Sequence, residues 1–240
     1  VVALLGIYEF YKLALLKKIQ PQFLNGLVSG GFLFVSISLY AHNVFDFGWV
    51  LLSLPIAIII PVSELFRKEG QPFTNIAYTI LGGLYVALPL ALLNFFYSPF
   101  ELRGGFNTHI LLGFFIITWV ADTAAYLVGS AIGKHKLFER ISPGKTWEGS
   151  VGSIIFGVAA AYVFSLIFKD IQFLHWAIIS VIIVVTGTLG DLAESMLKRS
   201  VNVKDSGTIM PGHGGILDRF DGVFFAAVFV FIYIYFFIAN

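Results

Sequence analysis

Five carboxylates interrupt long apolar stretches of this chain, and they are the residues most capable of chemistry. Asp122 lies in ITWVADTAAYLVG, Asp191 and Glu194 lie in TGTLGDLAESMLKR, and Asp218 and Asp221 lie in GILDRFDGVFF. Residues three apart are neighbours on a helix surface, so the members of each pair share one face. Ionisable groups within apolar helices are costly and tend to be functional. Carboxylates that face one polar pocket repel each other, and this set therefore indicates a site for cations.

Hard metal ions are the cations that suit these carboxylates. The chain has no Cys and five scattered His residues, which gives little support to a site for a soft metal. Sites rich in Asp oxygens suit Mg²⁺, which is usually held by one or two carboxylates, waters and substrate phosphates. We predict that Asp191, Asp218 and Asp221 bind a metal ion or a substrate. The alternative is that the aspartates only form ion pairs between helices, with Lys198, Arg199 and Arg219 as partners.

Two polar loops carry a second signal. Segment 141–149 reads ISPGKTWEG, and segment 204–215 reads KDSGTIMPGHGG. Both combine Gly with Lys, hydroxyl groups and backbone donors, a composition suited to surrounding phosphates. The GKT at 144–146 does not indicate a nucleotide-binding P-loop, because Glu139 stands where that motif needs Gly and no strand is predicted before it. Together with the acidic residues, the loops indicate phosphoryl chemistry.

Apolar helices must position these groups, because the composition excludes a water-soluble domain. Hydrophobic residues make up 58% of the 240 residues, charged residues make up 12%, and the mean hydropathy is +0.88. Soluble domains carry about 25% charged residues. The apolar excess also excludes a disordered chain, and zero Cys excludes a disulfide-stapled fold. A net charge of +1 excludes a nucleic-acid-binding domain, so we expect no nucleic-acid partner.

The sequence predicts an all-α polytopic membrane protein with eight spanning helices. A spanning helix needs about 20 mostly apolar residues, and the apolar runs are too long and continuous for a β-barrel. The predicted spans are 1–16, 23–41, 46–66, 73–97, 107–131, 149–168, 173–197 and 216–238. The first run is short and begins with Val1, so we expect upstream sequence that includes one or more helices. We predict a single integral-membrane domain over residues 1–240.

The distribution of basic residues predicts the orientation in the membrane. Of the 15 Lys and Arg residues, only Arg103 and Lys169 lie on one side of the predicted helices. Such an excess of positive charge marks the cytoplasmic side. The loops 132–148 and 198–215 are therefore expected to face the cytoplasm, and any site that they form would open there. Small residues spaced four apart, such as Gly26 and Gly30, are expected to let helices approach closely.

The run from Ser195 to Asp221, SMLKRSVNVKDSGTIMPGHGGILDRFD, resembles the signature of the phosphatidate cytidylyltransferases, also called CDP-diacylglycerol synthases. The segments ISPGKTWEG and ITWVADTAAYLVG are also similar to that family. The resemblance covers residues 71–240, which we predict to carry the catalytic helices and loops. Residues 1–70 match mainly in hydropathy, apart from IYEFYKL at 7–13.

The resemblance implies a reaction in which phosphatidate and CTP give CDP-diacylglycerol and pyrophosphate, with Mg²⁺ required. It also implies a homodimer in the cytoplasmic membrane, among membrane lipids. Asp191, Asp218 and Asp221 would then hold one or two metal ions at the CTP phosphates. Asp122 would be a further ligand or would orient one. Together with Lys198 and Arg219, the three ligand aspartates form the predicted catalytic set.

The same resemblance implies the residues that bind substrate. Lys145, Lys198, Arg199 and Lys204 would neutralise the phosphates, and Arg219 would do the same or orient Asp218. His213 would shape a turn with donating amides or cap it, and Asp205 would orient Lys204 or bind a ribose hydroxyl. The predicted substrate-binding residues are Ser142, Lys145, Thr146, Ser195, Arg199, Lys204, Asp205, His213, Gly214 and Gly215.

Two other functions compete with this interpretation. A CTP-dependent polyprenol kinase would transfer the γ-phosphoryl group to an alcohol and release CDP in place of pyrophosphate. An ion-coupled transporter would also contain acidic residues within its helices, but it would distribute them across the bilayer. Here the ionisable groups gather at one face, which favours an enzyme.

Overall fold

The structure is a computed structural model that describes residues 1–97, 109–207 and 214–238. Within these ranges the chain is helical apart from one two-stranded sheet. The first helices are α1 Val2–Leu16, α2 Phe23–Ala41, α3 Phe47–Leu51, α4 Ser53–Glu64, α5 Pro72–Gly82, a π-helical turn Gly83–Ala87, α6 Leu88–Leu92 and α7 Asn94–Tyr97. The later elements are α8 His109–Ile132, β1 Lys136–Phe138, β2 Ser142–Thr146, α9 Trp147–Ile167, α10 Phe173–Ser200 and α11 Leu217–Phe237.

Seven stretches of the described chain are long and apolar enough to cross a membrane, which confirms the all-α polytopic architecture. They are Phe23–Ala41, Phe47–Glu64, Pro72–Tyr97, His109–Ile132, Trp147–Ile167, Phe173–Ser200 and Leu217–Phe237. The first predicted span, 1–16, is a helix but is not among the seven. Its 15 residues would rise about 22 Å, against a hydrocarbon core of about 30 Å.

The predicted loop 132–148 contains a hairpin that the sequence did not predict. Strands β1 and β2 pair antiparallel, with Lys136 opposite Thr146 and Phe138 opposite Ser142. Thr146 ends the hairpin and begins α9, because its buried hydroxyl oxygen accepts a hydrogen bond from the Gly149 amide at 3.2 Å. A side-chain cap of this kind satisfies one of the free amides at a helix start. This cap therefore joins the end of the hairpin to the start of α9.

The chain divides into two compact units. The first comprises Val1–Phe95 and Leu197–Phe220, and the second comprises Phe96–Met196 and Asp221–Asn240. The boundary falls within α10 and α11, so each of these helices contributes residues to both units. The prediction of one membrane domain over the whole chain stays a prediction.

Glycines let helices pack closely inside each unit, as the spacing of small residues predicts. In the first unit, a Cβ added at Gly30 would lie 2.6 Å from Ile7 Cδ1 and 3.4 Å from the Gly83 Cα. In the second unit, a Cβ at Gly149 would lie 2.7 Å from the Ala125 carbonyl oxygen. The separation at Gly149 is too short for a larger residue, because the neighbour is backbone. At Gly30 the end of the Ile7 side chain would have to move, and the Gly83 backbone lies in contact distance.

Candidate active site

The hairpin of the second unit brings a cation to α10. Lys145, near the end of β2, forms an ion pair with the Asp191 carboxylate. One turn further along α10, the Ser195 hydroxyl donates a hydrogen bond to Asp191 Oδ1 at 3.2 Å. Asp191 and Lys145 keep 35% and 26% of their side-chain surface exposed. Two residues from distant segments, each predicted separately as a site residue, therefore meet, and both keep part of their surface exposed.

A close crossing of α10 and α11 places Asp221 near Asp191. A Cβ added at Gly190 would lie 2.6 Å from the Asp221 carbonyl oxygen, and one at Gly222 would lie 3.2 Å from the Gly187 carbonyl oxygen. The residue next to each aspartate is thus a glycine that lets the two backbones touch. The Asp221 carboxylate interacts electrostatically with Asp191 across this crossing, and its Oδ1 accepts a hydrogen bond from the Gly222 amide at 2.6 Å.

Asp122 of α8 completes this group of charges. Its carboxylate interacts electrostatically with both Lys145 and Asp191. Asp122, Lys145, Asp191 and Asp221 are called the acidic cluster below. Glu194, which is 1% exposed, also interacts with Asp221. Lys145 balances one of the negative charges that these four elements bring together, so the acidic cluster would be stabilised by additional positive charge.

The carboxylates of the acidic cluster suit a Mg²⁺ ion whose remaining ligands come from water and from a substrate. Within the ranges that the structure describes, no three acidic or imidazole groups form a ready-made metal cage. Mg²⁺ seldom uses such a cage, because it binds one or two carboxylates and fills its other positions with water and phosphate oxygens. Asp191 and Asp221 carry carboxylate oxygens of the hard type that Mg²⁺ prefers, on two helices, and Asp122 interacts electrostatically with Asp191.

Asp218, in the first unit, has a different environment. The Lys198 ammonium donates a hydrogen bond to Asp218 Oδ1 at 2.6 Å, and both side chains are only 11% exposed. Asp218 Oδ2 accepts from the Ser206 amide at 2.8 Å, the Ser206 hydroxyl at 2.9 Å and the Gly215 amide at 2.7 Å. Here the ion pair with Lys198 that the sequence left as an alternative is present. The prediction that Asp218 binds a metal stays a prediction.

Glu9 in α1 also belongs to this part of the first unit, and the sequence analysis missed it. The carboxylate is buried, with 1% of the residue exposed, and its Oε2 accepts a hydrogen bond from the Leu217 amide at 3.0 Å. The Ser206 hydroxyl lies 3.3 Å from the same oxygen. The available signal was an acidic residue inside the apolar helix IYEFYKL, which is as unusual as those in the later helices.

The other predicted residues have varied positions. Arg199 Nη1 donates to the Val203 carbonyl oxygen at 3.3 Å, whereas Lys204, Asp205 and Arg219 are exposed. Gly214 adopts a φ of +80°, which favours glycine. His213 lies outside the described residues. The structure therefore brings together Asp122, Lys145, Asp191 and Asp221 in one unit, and Lys198, Asp218 and Gly215 in the other.

The sequence is similar to known proteins along nearly its whole length. The cytidylyltransferase family model matches residues 1–237. A phosphatidate cytidylyltransferase of Haemophilus influenzae is 35% identical, and the match covers 99% of this chain and 88% of that protein. One of Bacillus subtilis is 31% identical, with 95% and 84% covered. One of Staphylococcus saprophyticus is 40% identical, with 72% and 64% covered.

Proposed function

Since the chain belongs to the cytidylyltransferase family, we propose that it is a multi-pass membrane enzyme that converts phosphatidate and CTP to CDP-diacylglycerol and pyrophosphate. The observation that carries this proposal is the similarity to named phosphatidate cytidylyltransferases over nearly the whole chain, at 31–35% identity. The seven long apolar stretches within the described residues agree with an enzyme whose lipid substrate resides in a membrane.

The acidic cluster supports this reaction on chemical grounds. The attacking group is a phosphate oxygen that is already ionised near neutral pH, so the reaction needs no dedicated general base. Two polyanions must instead be brought together in line, and charge on the leaving pyrophosphate must be neutralised. A group of carboxylates around one lysine attracts divalent cations, and nucleotide triphosphates bind as complexes with such cations.

We propose Asp191 and Asp221 as the ligands of Mg²⁺, with Asp122 as a third ligand or as a residue that orients Asp191. One or two ions held there would neutralise charge on the CTP phosphates. Lys145 would bind a phosphate oxygen of CTP when its partner Asp191 turns to a metal ion. Lys145 is suited to that exchange, because its backbone lies in the paired strand β2 and its side chain remains 26% exposed.

The exposed basic residues of the loop that follows α10 are proposed to bind the remaining phosphates. Arg199, Lys204 and Arg219 would contact the triphosphate or the phosphatidate head group, whereas Lys198 is held by Asp218. Asp205 would orient Lys204 or bind a ribose hydroxyl. The remaining proposed substrate contacts are Ser142, Thr146, Ser195, His213, Gly214 and Gly215, and Thr146 would also hold the hairpin through its cap of α9.

The charge distribution supports an active site at the cytoplasmic face of the inner membrane. Basic residues mark the cytoplasmic ends of membrane helices, and 13 of the 15 Lys and Arg residues fall on the side of the hairpin and the loop after α10. CTP is water-soluble and the lipid is not, so the two substrates would meet at this boundary. We also propose a homodimer, as the family resemblance implies.

A purified-enzyme assay tests the proposal. The protein in detergent is given phosphatidate and CTP labelled in the α-phosphate, with Mg²⁺ or with chelator. The labelled lipid and nucleotide products are separated, and the unlabelled pyrophosphate is measured by an enzyme-coupled reaction. We expect lipid-linked CMP and pyrophosphate in equal amounts, and neither product with chelator. Parallel reactions with a polyprenol identify a kinase by release of CDP. Release of CDP, or absence of lipid-linked CMP from folded protein, would refute the proposal.

A further inference from the structure

The buried Glu9 carboxylate of α1 contacts both ends of the loop between α10 and α11, which spans residues 201–216. Glu9 Oε2 accepts a hydrogen bond from the Leu217 amide at 3.0 Å, and Leu217 is the first residue of α11. The Ser206 hydroxyl lies 3.3 Å from the same oxygen. Ser206 also donates to Asp218 Oδ2 through its amide and its hydroxyl. Glu9 and Asp218 therefore share Ser206, and the chain before and after residues 208–213 is held at one point.

The backbone of the loop is shaped around this carboxylate. A Cβ added at Gly207 would lie 2.5 Å from Glu9 Oε1, and a Cβ at Gly215 would collide with Glu9 Oε2 and the Ser206 hydroxyl. Each end of the loop thus has a glycine where the carboxylate packs. The absence of a side chain at both positions lets the polypeptide approach Glu9 closely enough for the hydrogen bonds to form.

Stability alone does not account for Glu9. Its Oε1 is buried and has no hydrogen-bond partner among the described residues. A buried acceptor without a partner costs about 1–3 kcal/mol, and an apolar residue of similar shape would avoid that cost. Burial of a carboxylate at such a cost is typical of groups that serve function.

We propose that Glu9 is a positioning residue for the reaction. It acts through Ser206 and Leu217. It holds these residues so that Lys204 and Asp205 on one side, and the Lys198–Asp218 pair on the other, keep fixed positions. This role rests on the proposed function, because it concerns the loop that would bind the phosphates. It makes α1, which the sequence analysis placed outside the catalytic region, part of the catalytic apparatus.

Glu64 offers a matched control within the same unit. It is also buried, at 6% exposed, and it accepts hydrogen bonds from Asn75 Nδ2 at 3.0 Å, Arg67 Nη1 at 2.9 Å and Gln22 Nε2 at 2.5 Å. These partners lie just before α2, in α5 and in the segment after α4, and none of them lies in the loop that Glu9 contacts. Removal of Glu64 therefore tests loss of a buried carboxylate without disturbance of that loop.

The test compares Glu9→Ala, Glu9→Gln, Ser206→Ala and Glu64→Ala by kcat, KM for CTP and thermal midpoint in detergent. The Gln carbonyl oxygen can take the place of Glu9 Oε2, accept from the Leu217 amide and lie beside the Ser206 hydroxyl, so Glu9→Gln should stay within about threefold of wild type. Glu9→Ala should lower kcat/KM by about tenfold or more, because misplaced catalytic groups are costly.

The control variant Glu64→Ala should lower the midpoint of thermal unfolding and leave kcat and KM of the folded enzyme unchanged. The double variant Glu9→Ala/Ser206→Ala should lose no more kcat/KM than the more impaired single variant, because the two residues act through one contact.

Trypsin cleavage provides a readout that does not depend on activity. Lys204 and Lys68 are both exposed, so the rate of cleavage after Lys204 relative to Lys68 reports on the loop alone. We expect Glu9→Ala to raise this ratio and Glu64→Ala to leave it unchanged. If the wild-type protein lacks the transferase activity, the proposed function is refuted. The ratio of cleavage after Lys204 to cleavage after Lys68 then still tests whether Glu9 holds the loop. The inference is overturned if Glu9→Ala leaves kinetics and the ratio unchanged, or if Glu9→Gln loses as much activity as Glu9→Ala.

Discussion

The two units contain carboxylates of the same kind in opposite circumstances. In the acidic cluster of the second unit, Asp122, Asp191 and Asp221 gather around one lysine, and Asp191 keeps 35% of its side chain exposed. In the first unit, Asp218 is 11% exposed and accepts hydrogen bonds from Lys198, Ser206 and Gly215. One group has excess negative charge and keeps exposed surface, whereas the other is already satisfied by hydrogen bonds from its own chain.

This difference separates two uses of an acidic residue near a membrane surface. A carboxylate with several donors from one protein holds loops and helix starts in place, and it gains little from a metal ion. Carboxylates that repel each other gain much from one, so they are suited to recruit a cation together with its nucleotide. Asp218 and Asp221 are three residues apart in α11, yet Asp218 is of the first kind and Asp221 is of the second kind.

The largest expected effect is the loss of a carboxylate of the acidic cluster. Asp191→Asn and Asp221→Asn should each lower kcat/KM by about 10²–10³-fold, because each removes a charge that would hold the cation beside the phosphates. Raised Mg²⁺ should restore part of this activity. Asp170→Asn is the matched control, since Asp170 pairs with His109 away from the cluster, and it should stay within about twofold. Full activity with unchanged Mg²⁺ dependence in both variants would contradict the proposal that the acidic cluster binds the cation.

Asp218 is expected to act on stability. Asp218→Ala should lower the free energy of unfolding by about 3 kcal/mol, because it removes a carboxylate that accepts from the mostly buried Lys198 ammonium and from the Ser206 and Gly215 amides. Denaturation in detergent measures the change. The Mg²⁺ dependence of the remaining activity should match that of wild type. A shift of that dependence as large as that of Asp221→Asn would instead place Asp218 with the metal ligands.

The glycine beside Asp191 tests whether the close helix crossing forms the acidic cluster. Gly190→Ala should lower the free energy of unfolding by about 1–3 kcal/mol, because its Cβ would lie 2.6 Å from the Asp221 carbonyl oxygen and must push the backbones apart. Activity should fall as well. Gly48→Ala provides the control, since an added Cβ there meets nothing within 4 Å. Equal thermal midpoints for the two variants would contradict this role of the crossing.

Lys145 provides the smallest expected effect and the sharpest comparison within the cluster. Lys145→Met should lower kcat/KM for CTP about tenfold, because one contact to phosphate is lost. The same change should tighten Mn²⁺ binding without CTP, since Asp191 loses its competing cation. Titration with Mn²⁺ by electron paramagnetic resonance measures this binding. Weaker Mn²⁺ binding in the variant would show that Lys145 supports the metal site and does not compete with it.

Hydropathy and the cost of charge in apolar helices account for what the sequence could predict. Seven of the eight predicted spans are present, and Asp122, Asp191 and Asp221 were identified because each interrupts an apolar run. The partners of these residues are less accessible to such reasoning. Lys145 reaches Asp191 through a hairpin whose pairing depends on contacts between distant segments. Glu9 met the same criterion as the other acidic residues, but its role depends on Leu217, at a separation of 208 residues.

That separation has a consequence for biosynthesis. Ribosomes add about 5–20 residues per second, so the carboxylate of Glu9 waits about 10–40 s for the amide that binds it. During that time the nascent chain carries the Glu9 side chain on α1 with neither Ser206 nor Leu217 yet synthesised. Insertion machinery or a chaperone that shelters α1 would therefore influence the yield of folded enzyme, and α1 and the start of α11 become a pair that must mature together.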